Sequence, residues 1–295
     1  MGVFDDLISF EKMIYSDNSK FESITIFNVD FLTDLLVNYP KYRPFQLSNV
    51  VRMCKELCDD PIFRKELFMK CFLESPVILY RLFNEGVFSI SEILSELEQT
   101  PYCLVCYYFK NFVDNFEELI EYKIKECDLA LLNNEDDIPE LLEFGFLHST
   151  IEHCLKYDDN DFLLKSMESP NFLEIDEASW SPFEWALKPE CLNYLAFAGY
   201  FGSLKCFKSL LMNGFPIDKL VLESVICSGS EELFHMCLSP DIELSGLLFN
   251  AVQFCHFSIV EFLLERNVDI NEQDVNVIMC VFLYHLLIML AKVDT

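Results

Sequence analysis

The chain has 295 residues, of which 52 % are apolar, and it carries 49 acidic against 21 basic side chains, for a formal net charge of −28. The apolar fraction, which includes 29 Phe, excludes a disordered chain, and the 8 Gly are too few to favour phosphate-cradling loops. Because nucleic-acid-binding proteins and proteins that dock on anionic membranes neutralise phosphates with Lys and Arg, the acidic balance argues against both classes.

Residues 1–127 are predicted to form an array of short α-helices joined by tight turns. A capping side chain followed by proline marks a helix start, because the cap satisfies an orphaned amide and proline loses no hydrogen bond there. One such helix should end at Gly86, which suits a left-handed turn, and the next should begin at Ser89. A further helix is expected after a cap at Ser48, and another from Phe112 to Lys123. The cap–proline pairs are Asp60-Pro61, Ser75-Pro76 and Thr100-Pro101.

Residues 128–190 are predicted to be a degenerate, repeat-like helical linker. Acidic runs at 133–137 and 158–161 indicate solvated turns. The second run has neither the central Gly nor the twelfth-position Glu of a calcium loop. One or two degenerate helical units are expected in this part, for example from Ile151 to Ser166.

The part from 191 to 274 contains an internal repeat. Three segments of similar sequence start at Phe197, Ser224 and Asn250, at intervals of 27 and 26 residues. In each, small or apolar residues close a first helix, a tight turn follows, and a second helix carries paired apolar residues. Since one such helix pair cannot bury its apolar face alone, the segments are expected to stack around a continuous core.

The third segment, from Ala251 to Asn271, resembles the second half of an ankyrin repeat. The stretch from Phe201 to Leu211 is similar to the large protist group of ankyrin-repeat proteins that carry an uncharacterised helical N-terminal region. The resemblance implies an all-α chain, in which a helical array is followed by a short degenerate ankyrin-type solenoid. Of the family's Thr-Pro-Leu-His opening only the Leu is kept, so these repeats should be less stable than consensus ones. The matching residues are Cys255-His256 in the turn, Ile259-Val260 and Leu263-Leu264 in the helix, and Asn267-Val268-Asp269-Ile270-Asn271 in the loop.

The resemblance also implies a non-enzymatic protein-interaction module or scaffold, without a catalytic, cofactor or metal site. In ankyrin-type stacks the partner surface consists of exposed residues at the end of each first helix and of the loops between pairs. Aromatic side chains there supply binding energy at a low entropic cost. With a net charge of −28, the expected partner is another protein with a basic face. The candidate partner-binding residues are Tyr200, Phe201, Phe215, Cys227, Ser228, Gln253, Phe254 and Val268.

Histidine and cysteine patterns indicate structural roles. His148 and His153 are five residues apart, which is not the spacing of a zinc-protease helix, and Cys103-x-x-Cys106 has no second pair of matching spacing. His256 occupies the turn of the ankyrin pattern, a structural position. Thirteen Cys and a start without a signal peptide predict free thiols in a cytoplasmic protein, with the nucleus as the alternative compartment.

Residues 275–295 are predicted to be a hydrophobic C-terminal helix. The apolar run from Val277 to Ala291 has 15 residues, whereas a span of the bilayer needs about 20, and the flank that precedes it is acidic. A buried terminal helix is therefore favoured. Two alternatives stay open: a tail-anchored membrane scaffold that uses residues 277–291, and a sequence truncated or altered relative to its relatives.

Overall fold

A computed structural model describes residues 29–99, 105, 108–112, 138–169, 172, 177–186, 192–239, 243–254, 256–266 and 268. The described residues are predominantly helical, and their one sheet has two short strands, which confirms the all-α class. The chain divides into two compact units, Met1–Gly145 with Ser181–Leu187, and Phe146–Trp180 with Lys188–Thr295. The three boundaries predicted from the sequence, after residues 127, 190 and 274, lie outside the described residues.

The first unit is an array of short helices. Its first helix packs against the second and third, and the fourth packs against the second and third. Short 3₁₀ turns occupy Pro44–Gln46 and Lys110–Phe112. The described helices of this unit are α1 (Val29–Tyr42), α2 (Leu47–Leu57), α3 (Pro61–Glu74), α4 (Pro76–Asn84), α5 (Ile90–Gln99) and α6 (Ile138–Phe144).

Local capping explains where two of these helices begin. The Asp60 carboxylate accepts hydrogen bonds from two amides in the first turn of α3. At the start of α5, Ser89 and Glu92 form a reciprocal capping box, in which the Glu92 carboxylate accepts from the Ser89 amide at 2.8 Å. These two starts are confirmed, as is the start of α4 after Ser75, although the Ser75 hydroxyl makes no capping bond. The predicted cap at Ser48 is wrong by two residues, because α2 already begins at Leu47, directly after the 3₁₀ turn, and Gln46 is its N-cap residue.

Three other predictions for this unit fall where nothing is described. The Thr100-Pro101 start lies outside the described residues, as do Cys103 and Cys106 and the predicted helix after Phe112.

Gly86 has the expected left-handed backbone, with φ +73°.

The stretch Ser181–Leu187 belongs to the first unit although its neighbours in sequence do not. The Phe183 ring is buried and lies 5.7 Å from the Tyr108 ring. The indole nitrogen of Trp185 donates to the Pro44 carbonyl at 2.9 Å. Buried Glu184 packs directly on Gly145, where an added Cβ would lie 2.4 Å from the carboxylate oxygen. The stretch is thus part of this unit's core.

The described residues of the second unit form a stack of four helix pairs. Each first helix packs on the first helix of the next pair, and the second helices of the first two pairs also pack together. Strands Glu177–Ala178 (β1) and Leu192–Asn193 (β2) pair antiparallel between the first and second pairs. The pair predicted around Ile151–Ser166 is present. The four pairs are α7 (Ile151–Tyr157) with α8 (Asn160–Met167), α9 (Tyr194–Phe201) with α10 (Leu204–Met212), α11 (Lys219–Ser228) with α12 (Glu231–Cys237), and α13 (Leu247–Gln253) with α14 (Phe257–Glu265).

A left-handed residue follows the first helix in each of the first three pairs. Glycine stands there twice, at Gly202 and Gly229, but the first pair has Asp158 with φ +58°. The Asp158 carboxylate accepts from the Cys206 amide in the next pair at 2.9 Å. Asp158 therefore tolerates the left-handed backbone and also links two pairs.

We expect Asp158→Ala to lower the free energy of unfolding by about 1–2 kcal/mol, because alanine keeps the unfavourable φ and loses the bond to Cys206. Asp158→Asn retains both the acceptor oxygen and the tolerance of this φ, so its effect should stay within about 0.5 kcal/mol. Urea unfolding followed by circular dichroism measures both. Equal losses in the two variants would assign the effect to the charge rather than to the hydrogen bond.

Candidate interaction surface

Equivalent positions in the four pairs define one face of the first helices. The positions two and six residues before the turn are four apart, so they lie on the same side of each helix. In the first two pairs most of these side chains are buried, whereas those of α11 and α13 are half-buried or exposed. Two before the turn stand Lys156, Tyr200, Cys227 and Gln253, and six before it stand Glu152, Ala196, Glu223 and Phe249.

The exposed part of this face is the α11–α13 surface, which we define as Glu223, Cys227, Phe249 and Gln253. Phe249 is 40 % exposed, and Gln253 is exposed one helical turn further on. Glu223 and Cys227 hold the same positions on α11, which packs against α13. The surface thus combines an aromatic ring, an amide and a carboxylate.

An aromatic cluster closes the same face over the first two pairs. The Trp180 ring lies 5.0 Å from Phe197, 5.7 Å from Tyr200 and 6.1 Å from Phe201. The Lys156 side chain is only 1 % exposed, and its ammonium lies 5.7 Å from the centre of the Phe201 ring. Since such cation–π contacts are favourable away from water, the cluster is a core rather than a binding face.

Four of the predicted partner-binding residues lie in the interior. Tyr200, Phe201, Phe215 and Phe254 are each between 4 and 8 % exposed. Tyr200 packs against Phe254 at 6.2 Å, and Phe215 against Phe172 at 6.4 Å. The expectation that these rings face a partner is corrected: they pack inside the stack and offer little surface.

The other predicted residues are accessible to different degrees. Gln253 is exposed, whereas Cys227, Ser228 and Val268 are half-buried. Whether they contact a partner stays a prediction. Phe249 was missed by sequence reasoning, although a signal existed: the equivalent positions in α7 and α11 carry Glu152 and Glu223, and charged residues mark a solvent-facing position.

A contact of His256 with the third pair helps to hold α13 beside α11. The His256 Nε2 atom lies 2.9 Å from the Cys227 carbonyl oxygen. The His256 ring also lies over Gly229, where an added Cβ would be 2.1 Å from a ring atom. Ser203 makes a similar link between the first and second pairs, because its hydroxyl donates to the Leu155 carbonyl. His256 therefore has a structural role in the turn.

The thiol at the centre of this surface is unsuited to nucleophilic chemistry. The Cys227 Sγ atom donates to the Glu223 carbonyl at 3.2 Å. Burial, and next the nearby Glu223 carboxylate, raise the pKa of Cys227 to about 12, so the thiol stays protonated at neutral pH. The seven cysteines in the described part of the chain all carry free thiols, in agreement with the prediction.

The structure also describes two of the histidines, the side chains that could bind a metal ion and the helices that could cross a membrane. His148 and His153 stack with ring centres 4.1 Å apart. Within the described ranges no group of three or more His, Cys, Asp or Glu side chains is arranged to hold a metal ion. Among the helices that the structure describes, none has the length and apolar character needed to cross a bilayer. The apolar run 277–291 lies outside those residues.

The chain matches no protein-family model, no curated protein and no solved structure. The resemblance to ankyrin repeats therefore stays a prediction that depends on the residue pattern. The function is inferred from the α11–α13 surface itself.

Proposed function

We propose that the protein is a non-enzymatic protein-interaction module built on degenerate ankyrin-type repeats, and that its partner binds the α11–α13 surface. The observation that carries this proposal is the exposed Phe249 ring beside Gln253, on a face that is closed over the preceding pairs. Large aromatic side chains that become buried on binding are frequent hot spots. A partner bound there covers α13 in the way that the Trp180 ring covers α9.

The charge of the chain supports a partner with a basic face. Glu223 adds a carboxylate to the surface, and the net charge of −28 gives a negative long-range field. Such a field accelerates the encounter with a basic protein more than it tightens the final complex. The association rate should therefore fall steeply as salt is added, whereas the dissociation rate should change little. We propose the cytoplasm as the compartment.

The double variant Phe249→Ala/Gln253→Ala is expected to weaken partner binding by roughly 30-fold, because it removes the aromatic anchor and its polar neighbour. Its fold should remain intact, since both side chains are exposed. The wild-type chain is used to capture proteins from an extract of cells that naturally express it, and the captured proteins are identified by mass spectrometry. The binding of each purified protein to the wild-type chain and to the variants is then measured.

Met212→Ala is the matched control. Met212 is 86 % exposed at the end of α10, away from the α11–α13 surface, so its truncation should leave binding unchanged. A partner lost by the double variant and kept by Met212→Ala supports the proposal. If every captured protein binds all three chains equally well, the partner surface lies elsewhere.

A further inference from the structure

A segment of the second unit lies across the first two helix pairs as a bound peptide would. Ser179 and Trp180 directly follow strand β1. The Ser179 amide donates to the Glu152 carboxylate on α7 at 2.9 Å. The Trp180 ring packs on α9, where its centre lies 5.7 Å from that of the Tyr200 ring. Two adjacent residues of one segment thus contact two successive first helices.

These contacts use the two positions that define the face of the first helices. Glu152 stands six residues before the turn of its pair, and Tyr200 stands two residues before the turn of the next. The first position offers a carboxylate, which accepts a stronger hydrogen bond from a backbone amide than a neutral oxygen does. The second offers a surface on which an aromatic ring packs. The face therefore suits a backbone N–H and a large ring that come from neighbouring residues.

The same combination recurs on α11 and α13. Glu223 is the equivalent of Glu152, and α13 packs on α11 as α9 packs on α7. Within the ranges that the structure describes, no group donates a hydrogen bond to the Glu223 carboxylate or forms an ion pair with it. The kind of acceptor that Ser179 occupies on α7 is thus available on α11.

Phe249 supplies the aromatic contact on α13. Its ring is 40 % exposed and stands one helical turn before the exposed Gln253. A ring that lies over α13 as Trp180 lies over α9 would cover both side chains. Aromatic pairs of this kind are favourable beyond the apolar area that they bury. The acceptor for an amide and the surface for a ring therefore stand in the same order as they do beneath Ser179 and Trp180.

We propose that the α11–α13 surface binds an extended segment of a partner protein in which an aromatic residue follows a residue with a free backbone N–H. The N–H donates to Glu223, and the ring packs on Phe249 and Gln253. This inference rests on the proposed function, because it names the kind of segment that the partner presents to the surface defined there. Basic residues beside the aromatic residue meet the negative field of the chain, whereas Ser179 and Trp180 are tethered and need no such attraction.

Labelled peptides test the proposal on the full-length wild-type chain. The probe is fluorescein-labelled Lys-Lys-Ala-Ser-Trp-Ser-Lys-Lys, which places the sequence of residues 178–181 between basic residues. Fluorescence anisotropy measures its binding at physiological salt. Replacing the Trp of the peptide with Ala should weaken binding at least roughly tenfold, because the ring is the anchor. N-methylation of the Ser that precedes this Trp should weaken binding roughly tenfold, because the amide can no longer donate to a charged acceptor.

Glu223→Ala gives the matching test in the protein. It should weaken binding of the unmodified peptide roughly tenfold and abolish the effect of N-methylation, since the acceptor is gone. Glu152→Ala is the control, because it removes the same charge from a carboxylate that already accepts from Ser179. It should change peptide binding by less than about twofold, since a charge away from the bound segment is screened by salt. Circular dichroism checks that both variants are folded.

Three results would overturn the proposal. Equal binding of the three peptides to the wild-type chain leaves only unspecific charge attraction, and so do equal losses in the two Glu variants. A loss confined to Glu152→Ala means that the peptide displaces Ser179 from α7 instead of binding α11. In each case a captured partner that Phe249→Ala/Gln253→Ala fails to bind would still support the proposed function, so the two failures are distinguishable.

Discussion

We expect Phe197→Ala to lower the free energy of unfolding of the second unit by about 3–5 kcal/mol. The Phe197 ring is fully buried in α9. It lies 5.8 Å from the Phe146 ring and 5.0 Å from the rings of both Trp180 and Phe201. Removing it leaves a cavity that these large rings cannot fill without leaving their own contacts, so the loss combines burial energy with a cavity cost.

Phe249→Ala is the matched control, because it makes the same chemical change in another first helix of the stack. The Phe249 ring is 40 % exposed, so the loss should be below about 1 kcal/mol. Urea titrations of both variants, followed by circular dichroism, compare the two losses directly. Because the chain has two compact units, urea can unfold them in separate transitions. Hydrogen exchange measured on the peptide that contains α9 identifies the transition that belongs to the second unit. Equal losses would mean that the Trp180 cluster is not the core of the stack.

The burial of this cluster also changes what is expected of its neighbours. On the predicted partner surface, alanine variants of Tyr200 and Phe201 would weaken binding and leave the fold intact. Since both rings pack against Trp180, the same variants should instead lose stability. A fall in binding at these positions would then report unfolding rather than a lost contact.

The helix starts were predictable because their causes are local. Asp60 bonds to amides two and three residues away, and Ser89 and Glu92 bond to each other. The helix pairs of the second unit were predictable for a similar reason, since each pair repeats one arrangement of small, turn and apolar residues. Capping and periodicity both leave their signal within a few residues of where they act.

The misses arise where distant contacts decide the outcome. Trp185 bonds to Pro44, 141 residues earlier, and nothing near Ser181–Leu187 indicates that this stretch joins the first unit. The sequence of α9 contains no charged residue, so it carries no mark of a solvent-facing side, and the predicted exposure of Tyr200 and Phe201 at its end is wrong. The acidic run at 158–161 indicated only a solvated turn, whereas Asp158 adopts a left-handed backbone and its carboxylate accepts a hydrogen bond from the Cys206 amide of the next pair.

Gly229→Ala is expected to lower the free energy of unfolding of the second unit by about 2–3 kcal/mol. The left-handed backbone at Gly229, with φ +70°, costs an alanine about 1–2 kcal/mol. The new Cβ would also lie 2.1 Å from the His256 ring. The ring cannot move aside without losing its contact with the Cys227 carbonyl, which adds about 1 kcal/mol.

Gly214→Ala separates the two costs, because Gly214 has φ +92° and nothing within 4 Å of an added Cβ. It should lose only the backbone cost of about 1–2 kcal/mol. In a His256→Ala background the ring is gone, so the excess cost of Gly229→Ala over Gly214→Ala should disappear, and urea unfolding of the four combinations measures this directly. An excess that persists without the ring would place the strain in the backbone alone. An excess that disappears means that the third and fourth pairs are coupled through His256, which is then one of the contacts that hold α13, with Phe249 and Gln253, beside α11.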